Sequence, residues 1–315
     1  MMPSAGDGAD KGNDMRERIR GLQFMLAIVA LSTMFNAVAE QPNLEERARQ
    51  IAHKYLLTDT HIDVPYRIHN AWVDVTGSAP DGEFDYPRAV MGGLNLPFMS
   101  IYTPAEMEKE GGSFQLANEL IDGVEAMAAR APDKFMLVHS VADAKKAMQE
   151  GKVGLAMGME NGSPLDNKLE NVSFFANRGI RYITLTHGLS NQLSDSSYDD
   201  NHQWNGLSTF GRQVISEMNR VGIMVDISHV SDEAFWQTLK VTAVPVIASH
   251  SSARALTPGF ERNMSDEMIV ALAKNGGVIQ INWGSSFLTA KANEYSSAFW
   301  ELQESWVKEH GFDEA

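Results

Sequence analysis

The sequence predicts an α/β fold in which parallel strands alternate with helices, and two observations carry the prediction. Short apolar runs recur along the chain, each bounded by polar residues, as in strands buried on both faces of a parallel sheet. Side chains of one chemical kind stand where these runs end: His61 and Asp63 after LLTDT, Glu160 after VGLAMGM, His187 after YITLT, His229 after IMVDIS and His250 after PVIAS. A polar cluster repeated at the C-terminal ends of parallel strands is the layout of a site at the mouth of a (β/α) barrel.

Taken in order, a polar helix-like lead-in covers Leu44 to Leu56, and strands are expected at 56–62, 94–101, 153–159, 181–186, 222–228, 244–249 and 277–282. Amphipathic stretches at 114–130, 208–220, 231–240 and 265–275 lie between them, which argues for a parallel sheet with crossover helices. The 21 residues from His229 to His250 hold one loop, one helix and one strand. Two long connections, 64–93 and 188–207, leave C-terminal strand ends, where barrels build their pockets. Their Tyr66, Trp72, Tyr198 and Trp204 can line a pocket or pack the loops. Residues 290–315 read as a charged helix. Seven strands closed on nothing would leave two unpaired edges, which proteins avoid. The expectation is therefore a (β/α)8 TIM-type barrel whose eighth strand is missing from this chain.

The chain has 315 residues, 43% hydrophobic and 21% charged, which suits one large domain, since such a barrel takes about 250 residues. A net charge of −15 argues against nucleic acid or an anionic membrane surface as a partner. The absence of cysteine excludes disulfides, thiolate metal sites and a cysteine nucleophile, so a metal must be held by nitrogen and oxygen. Near the start, Arg16, Arg18 and Arg20 precede LQFMLAIVALSTMF, which ends in Ala37-Val38-Ala39. This is the pattern of a secretory signal peptide, with Met15 a candidate start. Residues 1–39 are expected to be an extension and signal cleaved near Ala39, and residues 40–315 a C-terminally truncated barrel domain. The mature protein is then secreted or periplasmic, without stable membrane insertion.

Residues i and i+2 on a strand face the same side, so His61 and Asp63 can address one ligand. Imidazole and carboxylate donors suit zinc and related divalent metals. The set exceeds what one tetrahedral site needs, and two metals sharing a bridging carboxylate is the economical arrangement. Such a pair holds a hydroxide at neutral pH. His53, His69, His139, His202 and His310 lie in helix-like or loop contexts and are read as surface residues, while Asp59 and Asp226 can hydrogen-bond a ligand from behind.

The runs DTHIDVPYRI, GLAMGMENG, YITLTHGLSN, FGRQVISEMNRVGIMVDISHVSD, PVIASHSSARAL, ERNMSDEMI and GGVIQIN recur in order, and over about residues 45–310 the chain resembles the membrane (renal) dipeptidase family of the amidohydrolase superfamily. The resemblance implies a metal-dependent hydrolase barrel with two Zn2+ and hydrolysis of dipeptides, including many with a C-terminal D-residue. By position it implies that His61 and Asp63 bind one zinc, Glu160 bridges both, and His229 and His250 bind the second. His187 would contact the substrate and steady the tetrahedral intermediate, and Arg262 would pair with the dipeptide's free carboxylate, with Arg254 as a rival. A dipeptide is the expected partner and a homodimer the expected assembly. The family's eighth-strand aspartate, in a GSDFDG-like segment, has no counterpart here, and Asp313 and Glu314 do not replace it. The alternatives are another amide or lactone hydrolase of the superfamily, or a non-catalytic metal-binding fragment.

Overall fold

The computed structural model describes residues 43–311; the expected signal segment and the Asp313-Glu314 pair lie outside them. The chain divides into two compact units, Met1–Ile51 and Ala52–Ala315. From the first, the described residues are Asn43 and the opening of the helix Leu44–Lys54, with Glu45 and Glu46 in its first turn. Acidic residues there complement the helix dipole. No helix among the described residues is long and apolar enough to cross a membrane.

The second unit is built on β1 (Leu57–Ile62), β2 (Leu94–Tyr102), β3 (Phe135–Leu137), β4 (Val153–Glu160), β5 (Ile180–Thr184), β6 (Met224–Asp226), β7 (Ile247–Ser251) and β8 (Val278–Ile281). All their pairings are parallel, in the order β1-β2-β4-β5-β6-β7-β8, with β3 beside β4. The result is a nearly closed barrel of seven strands with one unsealed seam, between β8 and β1. Across that seam β1 approaches β7 instead: the Thr60 hydroxyl donates to the Ser249 carbonyl, and the His61 and His250 rings stack at 3.8 Å.

The short strand β3 was not legible as a run of its own. It pairs Phe135, Met136 and Leu137 with Val153, Gly154 and Leu155, while β2 takes the remainder of β4 from Ala156 to Glu160. The expected loop at 64–93 contains two short helices, Val64–Asn70 and Tyr86–Gly92, each with proline in its first turn where no amide donor is needed. The strand expected at 244–249 begins at Ile247, because Pro245 has no amide to give to the ladder.

Helix starts follow a repeated device. The hydroxyls of Ser140, Ser208, Ser231 and Ser265 accept the backbone N–H three residues on, capping the helices Val141–Gln149, Thr209–Val221, Asp232–Val241 and Asp266–Asn275. The core lies inside and around β4 and β5, where Met157, Met159, Ile180, Tyr182 and Ile183 are buried. Gly158 sits directly under Tyr182: a Cβ there would stand 1.9 Å from the ring's Cζ, so only glycine lets the phenol reach the barrel interior.

Candidate metal centre

The expected site residues come together in one cavity of about 930 Å3 that runs from the C-terminal ends of the strands down β1 to Leu57, lined among others by His61, Glu160, His187, His229, His250 and Arg262. Glu160 is the last residue of β4 and is 4% exposed. Its two oxygens face different partners. Oε2 lies 3.2 Å from His61 Nε2, while Oε1 lies 3.1 Å from His229 Nε2, 3.2 Å from His250 Nε2 and 3.8 Å from His187 Nε2. Asp63 opens the helix Val64–Asn70 without capping it, and its Oδ1 lies 3.3 Å from His61 Nε2.

His61 and His250 stand within strands, whereas His187 and His229 lie just beyond the ends of β5 and β6. His229 has φ of +70°, a left-handed conformation uncommon for a residue with a Cβ. The turn is held by its carbonyl, which accepts from Ser197 N at 2.7 Å. Asn161, immediately after Glu160, has φ of +76°, and its side chain ties the turn to Thr103, Ser163 and Asn191. Backbone strain of this kind collects at functional sites.

Two groups of donor atoms converge, each within 4.8 Å: His61, Glu160 and His250, and Glu160, His187 and His229. Ligands about 2.0–2.1 Å from a tetrahedral zinc are separated by about 3.3 Å, the spacing seen around Glu160. His229 Nε2 and His250 Nε2 face each other at 2.9 Å. Two ring nitrogens aimed at one point can share at most one proton, and a cation between them uses both lone pairs. The donor set therefore fits a divalent metal, with Glu160 common to both groups.

Electrostatics agree with that use. Burial raises the pKa of Glu160, but His61 and the hydrogen bonds from His229, His250 and His61 outweigh it, leaving the carboxyl well below its ordinary range. Burial disfavours charge on His61, yet Glu160, Tyr182 and Asp63 hold its pKa well above the usual histidine value. Burial, with the nearby charges of His61 and Arg262, pushes His250 down to about 4. Burial and Arg262 likewise hold His229 well below the usual histidine value. His187 is lowered chiefly by burial.

Arg262 is 3% exposed; its Nη1 donates to Ser251 Oγ and its Nη2 to the His250 carbonyl, both at 2.7 Å, and it lies over the Phe287 ring. Arg254 is already occupied, donating to both oxygens of Asp232 at 2.8 and 2.6 Å. Four of the other histidines, His53, His69, His139 and His310, are exposed, and His202 is half-buried. Asp59 is exposed and turns to the His61 amide, whereas Asp226 is fully buried behind the cluster. Two supporting residues were not anticipated: Tyr182, whose hydroxyl meets His61 Nδ1 at 2.9 Å, and Ser100, which donates to Glu160 Oε2 at 3.3 Å. Tyr102, also unanticipated, packs its ring edge-on to His187 at 4.8 Å.

A parallel barrel carrying a carboxylate ringed by imidazoles at its strand ends has the architecture of a metal-dependent hydrolase. Residues 45–304 match the membrane dipeptidase family (peptidase family M19), and the chain belongs to that family. It is similar to dipeptidase 3 of Mus musculus, 32% identical over 249 residues, which are 76% of this chain and 49% of that protein. An uncharacterized dipeptidase of Schizosaccharomyces pombe is 31% identical over 276 residues, covering 79% of this chain and 64% of its own. Among solved structures, the probable dipeptidase PvdM from Pseudomonas aeruginosa is similar with a TM-score of 0.71 and 26% identity, over 77% of this chain and 64% of that one. The chain spans about half the length of the mouse protein it matches.

Proposed function

We propose that this protein is a zinc-dependent dipeptidase with two metals sharing Glu160, hydrolysing dipeptides that include those with a C-terminal D-residue. The observation that carries the reading is a buried guanidinium beside the metal cluster: Arg262 shares one cavity with Glu160 and the four histidines. A cation held there suits a substrate that is short and ends in a free carboxylate close to the bond being cut. The planar fork of arginine meets a carboxylate with two hydrogen bonds. Family membership and the two named dipeptidase relatives support the same substrate class.

Bound divalent metals would supply hydroxide at neutral pH and polarise the scissile carbonyl. Glu160, ionised and facing its partners through both oxygens, would hold the two positions together. His187, kept neutral by burial and steadied by Tyr102, would donate a hydrogen bond to the oxyanion that develops on the carbonyl. Arg262 would orient the dipeptide by its carboxylate.

Replacing Arg262 tests the substrate class. Arg262→Ala should cut kcat/KM for free dipeptides by the equivalent of about 2–5 kcal/mol while leaving amidated dipeptides much less affected. An equal loss on both would remove the carboxylate clamp and favour another amide or lactone hydrolase.

A further inference from the structure

The ring nitrogens behind the three most buried histidines are treated differently. His61 Nδ1 meets the Tyr182 hydroxyl at 2.9 Å, a partner that can donate or accept. His229 Nδ1 is buried without a hydrogen-bond partner. His250 Nδ1 meets Ser249 Oγ at 2.8 Å, and that hydroxyl in turn meets Asp226 Oδ2 at 2.5 Å. Of the three, His250 alone is backed by a carboxylate.

Asp226 closes β6 and is 0% exposed. Its Oδ1 accepts the backbone N–H groups of Ser228 at 3.1 Å and Ser249 at 2.9 Å, and its Oδ2 also accepts from the Thr184 hydroxyl at 2.5 Å. A serine hydroxyl has one proton to give. With that proton directed to Asp226, Ser249 Oγ can only accept from His250, which fixes the proton on Nδ1. The free lone pair is then on Nε2, the atom 3.2 Å from Glu160 Oε1. The main chain of His250 is held as well, its amide donating to Ser228 Oγ at 3.1 Å and its carbonyl accepting from Arg262.

We infer that Asp226 and Ser249 form a relay that holds His250 as the Nδ1–H tautomer with Nε2 presented to metal, making both of them positioning residues for metal affinity. The inference rests on the metal reading of the Glu160 cluster and adds a dependence on a carboxylate that does not touch the ring. Groups that orient a metal-binding histidine from behind are worth about 10–100-fold in affinity.

Zinc titration by calorimetry into the metal-free chain, beside 15N NMR of its histidines, tests the relay. Ser249→Ala and Asp226→Asn should each weaken zinc binding about 10–100-fold, and the double variant should be no weaker than the worse single, since both break one chain. The wild-type His250 ring should show the Nδ1–H tautomer. Ser249→Ala should give a mixture, and Asp226→Asn, whose amide can donate to Ser249, should favour Nε2–H. Ser249→Ala removes a single oxygen and carries the test alone if Asp226→Asn does not fold. Wild-type zinc affinity in the variants, or an Nε2–H ring in the wild type, overturns the relay and leaves the metal reading standing. A wild-type chain that takes up no zinc defeats the metal reading and the relay with it.

Discussion

Strand β4 is buried at all eight positions, whereas β8 leaves Val278 and Ile281 half exposed, at 50% and 44%. Both are parallel strands of one sheet, and both are apolar. The difference lies in their neighbours: β4 has partners on both sides, while among the described residues β8 pairs with β7 alone and β1 with β2 alone. The metal cluster straddles the two regimes. Glu160, His187 and His229 stand on the closed wall, while His61 and Asp63 belong to β1 and its exit, on the seam side. Glu160, whose two oxygens face both donor groups, is built where packing is continuous, and the part beside the seam is held by cross-barrel contacts such as the His61–His250 stack.

The sharpest test of that contrast is a side-chain truncation on the closed wall. Met159 is 0% exposed on β4, so Met159→Ala should destabilise the fold by about 2–5 kcal/mol in urea unfolding. A loss below 1 kcal/mol would show that the wall is no better packed than the seam.

A smaller effect is expected from pH in the metal-free protein. His250 has a folded pKa of about 4 against about 6.5 unfolded, so between those values the unfolded chain binds more protons. Its neutral burial is therefore harmless above pH 6.5, and stability falls as pH drops toward 4, by up to about 1.4 kcal/mol per unit for this group. Glu160, with its depressed pKa, acts in the same direction at lower pH. His61 has the opposite sign: its raised pKa gives stability that is present below pH 6.5 and lost as pH rises through the folded value. Thermal unfolding across pH should show a maximum with an acid limb over about 4–6.5, which His250→Ala flattens. An unchanged acid limb in that variant would assign it elsewhere. The smallest effect belongs to the seam, where Val278→Thr on half-exposed β8 should shift stability by no more than about 0.5 kcal/mol.

Much of this was legible in the sequence because each candidate ligand stands at or just beyond the end of an apolar run. The positions of His61, Glu160 and His250 follow from strand ends alone, and the helices expected at 208–220, 231–240 and 265–275 each begin at the serine that caps them. What was not legible depends on register and neighbours. Tyr182 reads as a core aromatic until β4–β5 pairing sets it over Gly158 and under His61. Asp59 and Asp226 look alike in sequence, each an aspartate within a strand. Asp59 is exposed on a strand paired on one side, while Asp226 is enclosed between β5 and β7, where four donors reach it. Strand β3 is three residues long, too short for its alternation to stand out, and its existence depends on the lower half of β4.

The central claim is that one carboxylate joins two metal positions. Elemental analysis of the wild-type chain and Glu160→Ala, each equilibrated with zinc and freed of excess, measures it directly. Two zinc ions per chain are expected in the wild type, with occupancy lost at both positions in the variant, because Asp63 is then the single anionic donor left to offset two cations held close together. Loss of a single zinc, or full occupancy in Glu160→Ala, would contradict the account.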